Sequence, residues 1–173
     1  EKNDDKYYET GAFIYRKLNN TDKIIELCEE AFEKGDKYTN DKIYKALAFS
    51  YVDKGELKKS IKIYKEFLKK YPKDKENYGI YADMSFAYYN LEENDKALEY
   101  INKSIEMMPN KDILYIRKGD IVARVNGIES AIKEYERAIE LNPLNKEAYE
   151  RKDNAISIIY RNAKKMEEKN IFR

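Results

Sequence analysis

Residues 112–145 read DILYIRKGDIVARVNGIESAIKEYERAIELNPLN, and this stretch decides the fold. Its first half has aromatic, small and apolar residues at offsets of four and seven, namely Tyr115, Gly119 and Val122. These offsets put the three residues on one face of an α-helix. A second half with the same spacing follows the breaker Asn126-Gly127 and is stopped by Pro143. The stretch therefore predicts two helices joined by a short turn.

The same pattern occurs four times along the chain. Pro72, Pro109 and Pro143 each follow an apolar stretch and lie 37 and then 34 residues apart. The first-helix faces are Tyr8, Ala12 and Tyr15; Tyr44, Ala48 and Tyr51; Tyr81, Ser85 and Tyr88; and Tyr115, Gly119 and Val122. The second-helix faces are Ile24, Cys28, Ala31 and Phe32; Ser60, Tyr64, Phe67 and Leu68; Ala97, Ile101, Ser104 and Ile105; and Ala131, Tyr135, Ala138 and Ile139. Helix pairs that recur every 34 to 37 residues are typical of proteins in which successive pairs stack on one another.

Helix ends and the last segment complete the pattern. Polar residues separate the two helices of each copy, and we predict Thr21 and Asp95 as N-caps. After Asn145 one more apolar face follows without a partner helix, and Lys152 and Asp153 interrupt it. We interpret this segment as a helix that covers the apolar edge of the last copy.

Charge and hydropathy exclude several classes of partner. The 173 residues contain 34 Lys and Arg against 33 Asp and Glu, a net charge of +1. This balance gives no broad positive field for nucleic acid, and the lysine and glutamate runs are typical of solvated helix surfaces. No apolar run approaches the roughly 18 residues of a spanning helix. We expect no nucleic-acid partner and no membrane insertion.

Residues that carry most enzyme chemistry are scarce. The chain has no histidine, which removes the commonest general base and metal ligand. The single cysteine, Cys28, falls at a core position, where a buried structural thiol is expected rather than a nucleophile. The glycines are isolated, so the sequence contains no glycine-rich phosphate-binding loop. The Asp and Glu residues do not have the spacing of a calcium-binding EF-hand loop. We therefore expect no enzyme, no catalytic residues, no metal and no cofactor.

The sequence bears on cellular location only through its first residues. A signal peptide is absent, so we expect a cytoplasmic protein. The chain begins at Glu1 without a methionine. A secreted or lipid-anchored mature form, whose leader has been removed, therefore remains the alternative.

The repeated residues resemble the tetratricopeptide repeat (TPR) family. The copy from Asp112 to Asn145 carries the residues typical of the family at the family's spacing, namely Tyr115, Gly119, Ala131, Tyr135, Ala138 and Pro143. The first copy departs from the family by lacking the closing proline, and the second has Phe67 where alanine is preferred. Asp153 stands where a fifth copy would have a small residue.

The resemblance implies an all-α fold, a right-handed superhelical α-solenoid of antiparallel helix pairs with four repeats and a C-terminal capping helix. The expected boundaries are an N-terminal tail at 1–4, repeats at 5–38, 41–74, 78–111 and 112–145, and a capping helix and tail at 146–173.

In this family the first helices line an inner, concave surface. On an ideal helix Phe13 points roughly 130° away from the core face. Phe49 and Phe86 occupy its position in the next two copies, and Asp120 does so in the fourth. Repeated off-core aromatic residues favour a track for a peptide or amphipathic helix, and the alternative is that each ring packs between neighbouring helices. The predicted groove residues are Phe13, Phe49, Phe86, Tyr89, Arg16, Lys45, Asn90, Ile113, Arg117, Asp120 and Arg124.

Two functions remain open from the sequence. The first is a non-enzymatic interaction scaffold or adaptor, expected to be monomeric, that binds a peptide or helical segment of a partner protein in the concave groove. The alternative is a structural assembly subunit that self-associates or docks through its ends or convex face, with the extra residues at 39–40 and 75–77 as contact loops.

One family subtype is testable from residue types alone. Some chaperone-binding members hold a terminal carboxylate of a peptide with a clamp of Lys, Asn, Asn, Lys and Arg. Lys45 and Arg117 match this set, but the asparagine positions hold Phe49 and Asp83 and the second lysine position holds Ile113. Because Asp83 would repel a carboxylate, we expect no clamp of this type.

Overall fold

The computed structural model describes residues 5–74 and 76–171 and is all-α, without strands, over these residues. The all-α prediction is therefore confirmed. The predicted tails at 1–4 and 172–173, and Lys75 of the second predicted contact loop, lie outside the described residues. The helices are α1 (Asp5–Lys17), α2 (Thr21–Lys34), α3 (Asp41–Asp53), α4 (Leu57–Lys70), α5 (Asn77–Asn90), α6 (Asn94–Met107), α7 (Asp112–Asn126), α8 (Ile128–Leu141) and α9 (Lys146–Ile171). A short 3-10 helix, Asp36–Tyr38, follows α2.

The chain divides into two compact units, one ending at Asn77 and the other beginning at Tyr78. In the first unit α2 packs on α1 and α3, and α4 packs on α3. Tyr8, Cys28 and Leu47 are almost fully buried in its core. These residues come from both the first and the second helices of the predicted pairs. The apolar helix faces that recur along the sequence therefore form the buried core.

In the second unit α7 packs on α6 and α8, and α9 packs on α8 and α7. One buried cluster joins Ile116 of α7 and Ala138 of α8 to Ala148 of α9. Another joins Ala131 and Tyr135 of α8 to Ala155 of α9. The segment after Asn145 thus covers apolar side chains of the last helix pair, as the sequence predicts.

A close approach of α7 and α8 explains the small residue in the first-helix face. A Cβ atom on Gly119 would lie 2.3 Å from Cε1 of Tyr135, far inside van der Waals contact. Gly119 and Tyr135 are both buried. An aromatic ring on α8 therefore packs directly against the backbone of α7.

The predicted N-caps are wrong by one or two residues. The side chain of Asn20, not Thr21, caps α2 by accepting a hydrogen bond from the backbone N–H of Lys23 at 3.1 Å. Helix α6 begins at Asn94, so Asp95 already lies inside it. Asn20 precedes the first helical residue, where its short side chain reaches the free N–H groups of the first turn.

Candidate functional site

The first-helix surface of the first unit contains a cavity between α1 and α3. The cavity has a volume of about 560 Å³. Its lining residues are Glu9, Thr10, Ala12, Phe13, Arg16, Lys42, Ile43, Lys45 and Ala46. Phe13 on α1 is 60% exposed, and Phe49 on α3 is 48% exposed. Both rings therefore offer apolar surface to a ligand.

Small residues open this cavity. Ala12 of α1 and Ala46 of α3 are both buried, so their side chains form part of the floor without filling the space above it. Ile43 is also buried and completes an apolar floor. The repeat position of Ala46 holds Arg117 in the fourth copy, whose side chain is long enough to occupy part of such a space.

Charged groups surround the cavity, and several of them are paired. Lys42 forms an ion pair with Glu9, whose other carboxylate oxygen accepts a hydrogen bond from Asn40 Nδ2 at 3.1 Å. The Lys42 ammonium group, with help from Asn40, holds the pKa of Glu9 below its usual value. Glu9 is thus a carboxylate at neutral pH with its charge already balanced.

Two predicted groove residues, Arg16 and Lys45, stand at the same cavity. The Arg16 guanidinium lies 5.6 Å from the centroid of the Phe49 ring, a cation–π distance. Lys45 Nζ lies 3.4 Å from Asp41 and 5.3 Å from the centroid of the buried Phe67 ring. The charge of Lys45 is therefore partly balanced by Asp41 of the same helix. Arg16, by contrast, is exposed beside the exposed Phe49 ring.

In the second unit the corresponding surface lies on α5 and α7. Phe86 is 45% exposed, and the cavity beside it, at about 60 Å³, is much smaller than that in the first unit. Arg117 of α7 lines this smaller cavity and pairs with Asp83 at 3.4 Å. Ile113, also predicted for the groove, is half exposed near the start of α7.

Two further groove predictions, Tyr89 and Arg124, contact each other. The guanidinium carbon of Arg124 lies 3.6 Å from the Tyr89 ring centroid, and its Nη1 donates to the Tyr89 carbonyl oxygen at 2.6 Å. Asn90 is exposed at the end of α5 and donates to the carbonyl oxygen of Phe86 at 2.8 Å. Tyr89 thus has one face covered by Arg124, and its ring is a less open surface than that of Phe13.

Asp120, the fourth residue of the phenylalanine position, is held by two neighbours. Its Oδ1 accepts a hydrogen bond from the Tyr135 hydroxyl at 2.9 Å and one from Arg151 Nη1 at 3.3 Å. Burial raises the pKa of Asp120, against the opposing effect of these two partners. The carboxylate therefore links α7 to α8 and α9. The sequence did not reveal this role, because Arg151 lies outside the four repeats.

Neither metal binding nor a reactive thiol is indicated by the described residues. Cys28 is fully buried, and burial raises the pKa of its thiol to about 12. Over residues 5–74 and 76–171, no group of three or more Cys, Asp or Glu side chains is arranged to hold a metal ion. A search of the same residues finds no helix with the length and apolar character needed to cross a membrane.

Comparison with known proteins identifies the family. Sequence models of the tetratricopeptide repeat match residues 46–74, 78–111 and 114–143, together more than half of the chain. The chain belongs to the tetratricopeptide repeat family, whose members are generally non-enzymatic scaffolds, and this fold supports a role in protein interaction.

Several known proteins are similar to parts or all of the chain. A TPR repeat-containing protein of Methanocaldococcus jannaschii is 42% identical over 73 residues, which are 39% of this chain and 13% of that protein. The chain thus spans about an eighth of the length of this relative. The crystal structure of MamA aligns with a TM-score of 0.71 and 19% identity over 98% of this chain and 95% of that one.

A third protein was solved with a ligand. The first TPR domain of Spaghetti (RPAP3), bound to the HSP90 peptide SRMEEVD, aligns with a TM-score of 0.59 and 23% identity. The alignment covers 68% of this chain and 91% of that domain. At these identities the two structures support the fold alone.

Proposed function

We propose that the chain is a non-enzymatic scaffold that binds a segment of a partner protein on the exposed surface of its first helices. The observation that carries this proposal is the cavity of about 560 Å³ between α1 and α3, with Phe13 largely exposed at its edge. A site of this size accepts one bulky apolar side chain. Complete burial of such a side chain contributes about 1.5–3 kcal/mol, and because this cavity is open on one side, this range is the upper limit of what the anchor contributes.

The charges at the cavity edge favour an acidic neighbour of that anchor. Arg16, Lys42 and Lys45 stand there against the single carboxylate of Glu9. Lys42 pairs with Glu9, and Lys45 with Asp41, so Arg16 is the group that a carboxylate of the ligand would meet. A cation beside the Phe49 ring would then bind an acidic residue that follows or precedes the apolar anchor.

A pull-down from native lysate tests the proposal. The wild type is compared with the triple variant Phe13→Ala/Phe49→Ala/Phe86→Ala, after circular dichroism shows that both are folded. Because all three rings are exposed, the variant should fold, and partners bound through the first helices should be lost. A control variant, Leu18→Ala/Leu144→Ala/Met166→Ala, removes three apolar side chains elsewhere that are even more exposed, and it should retain the partners. Partners that persist in the first variant would contradict the proposal.

The second candidate is an assembly subunit, and exposed apolar residues on α9 favour it. Tyr149, Ile156 and Tyr160 are exposed there although they are large and apolar. Light scattering distinguishes the two functions, since a stable oligomer supports assembly whereas a monomer supports the adaptor.

A further inference from the structure

Helix α9 occupies the place of a fifth first helix. Ala148 and Ala155 lie 34 residues after Leu114 and Ile121 of α7, and all four are buried. In α9 these two alanines pack on α8. The contact that joins one helix pair to the next is therefore present at α9.

No described residue of the chain covers the other face of α9. Val122 is 7% exposed on α7, whereas Ile156, at its repeat position on α9, is 45% exposed. Tyr149 likewise follows Tyr115 by 34 residues and is exposed, while Tyr115 is half-buried. We define the outer face of α9 as Tyr149, Asp153, Ile156 and Tyr160, which lie at offsets of four, seven and eleven and share one side of the helix.

The face of α7 that corresponds to the outer face of α9 is covered by α8, and this packing indicates what kind of helix fits the outer face of α9. There α8 lies across α7 with Tyr135 packed against Gly119. The residues of α8 that flank Tyr135 on the same face, Ala131 and Ala138, are small and buried. A helix with small residues four before and three after a central residue is thus the natural occupant of a face with this spacing.

The carboxylate of Asp153 determines which charge is favourable at the central residue of a helix that packs on this face. It stands at the repeat position of Gly119, in the middle of the apolar outer face. The residues three and four positions away are Tyr149, Glu150, Ile156 and Ser157, and none of them is basic. The neighbouring cations Arg151 and Lys152 form ion pairs with Asp120 and Glu136 instead.

We propose that the outer face of α9 is a docking surface for one amphipathic helix of a partner protein, which carries Lys or Arg where α8 carries Tyr135. Small residues four before and three after this cation would let the helix lie close to Tyr149 and Ile156, while the Asp153 side chain, which has no counterpart at Gly119, holds the two backbones further apart than those of α7 and α8. The ammonium or guanidinium group would pair with Asp153 between the apolar contacts of Tyr149 and Ile156. Partial burial strengthens such a pair relative to one in open solvent.

A peptide derived from α8 tests this proposal with the full chain. The probe is residues 127–142 with Tyr135→Lys, capped at both ends and labelled, and its binding is followed by fluorescence anisotropy. The comparison peptides carry the native Tyr135 or Tyr135→Glu. We expect the lysine peptide to bind at least about fivefold more tightly than the glutamate peptide, and Asp153→Lys in the protein to reverse this order.

Two protein variants locate the binding. Ile156→Glu places a charge on the outer face and should abolish peptide binding. Asn154 is exposed and points about 130° away from the centre of the outer face, so Asn154→Glu should leave peptide binding unchanged. Circular dichroism checks that both are folded. Equal binding of the lysine and glutamate peptides, no binding up to millimolar peptide, or binding unchanged by Ile156→Glu would overturn the proposal. A dimer of the chain that Ile156→Glu dissociates would assign the face to a second copy and overturn it as well.

Discussion

The ring of Tyr135 fills the space that a side chain at Gly119 would need. We therefore predict that Gly119→Ala destabilises the protein. Alanine gains about 1 kcal/mol of helix propensity over glycine, but the clash with Tyr135 should cost more, with a net loss of roughly 1–3 kcal/mol. Urea denaturation measures the difference.

The matched control is Gly79→Ala, near the start of α5. No atom of the described residues lies within 4 Å of the position its Cβ would take, so this variant should be as stable as the wild type or up to about 1 kcal/mol more stable. Equal stability of the two alanine variants would show that α7 and α8 are further apart than described.

Ala138 should tolerate no larger side chain. It is completely buried on α8, in the cluster with Ile116 and Ala148. Ala138→Leu should lower the free energy of unfolding by roughly 1–3 kcal/mol through overpacking. Ala163→Leu, at an exposed position of α9, makes the same chemical change without crowding and should leave the melting temperature nearly unchanged. An unchanged melting temperature of Ala138→Leu would contradict the assigned packing.

The ionisation of Asp120 should make stability depend on pH. Its pKa in the folded state is raised by burial above the value of about 3.9 in the unfolded chain. Between these two pKa values the folded state binds more protons, so wild-type stability should fall, relative to Asp120→Asn, as pH rises from about 4 through the folded pKa. Urea unfolding at a series of pH values measures this slope.

Asp112 provides a contrast of opposite sign. Hydrogen bonds from Asn145, and less so from Asn142, hold the pKa of Asp112 below its usual value. Its contribution should be complete above about pH 4 and be lost as pH falls through the lowered pKa. Asp112→Asn should therefore lose its difference from the wild type in acid. The same slope for both variants would contradict the assigned environments.

Short acidic C-terminal peptides should bind weakly. The positions that hold a terminal carboxylate in clamp-type repeats contain Phe49, Asp83 and Ile113. Lys45, which matches the clamp, is close to Asp41 in its own helix. Titration calorimetry with a peptide ending in acidic residues should show no tight, salt-sensitive binding. Such binding, lost in Lys45→Ala, would show that a clamp operates here.

Removal of residues 146–173 should expose the last helix pair. Ala148 and Ala155 cover Ile116, Ala131 and Tyr135. Without α9 these side chains meet water, so the shortened chain should melt at lower temperature and aggregate. Sedimentation and thermal melts measure both effects. A soluble truncated protein of equal stability would show that α9 is not needed as a cover.

The fold could be predicted from the sequence because the period of the repeat is recorded in residue types. Ala12, Ala48, Ser85 and Gly119 are all small and all buried, and this regularity needs no side-chain geometry to recognise. The helix caps were less accessible. Asn20 and Thr21 are both good N-caps, and only the backbone decides which of them precedes the first turn.

The candidate site was only partly accessible from the sequence. The repeated position of Phe13, Phe49 and Phe86 points away from the core, but exposure depends on what stands opposite on the next helix. Beside Phe13, the small Ala46 lines a cavity of about 560 Å³, whereas beside Phe86 the much longer Arg117 lines one of about 60 Å³. Such pairings join residues about 33 positions apart in different helices, so they follow from packing rather than from the repeat itself.

The packing order has a consequence for how the chain acquires its structure. Within each unit the helices pack mainly on helices that are next or next but one in sequence. Contacts between such near neighbours close short loops, and proteins built this way fold in microseconds to milliseconds. Each unit can therefore fold within a small fraction of the time that the ribosome, which adds roughly 5–20 residues per second, needs to synthesise it. A single helix pair buries too little apolar surface to be stable by itself, so structure forms only when enough helices of a unit are present to cover one another.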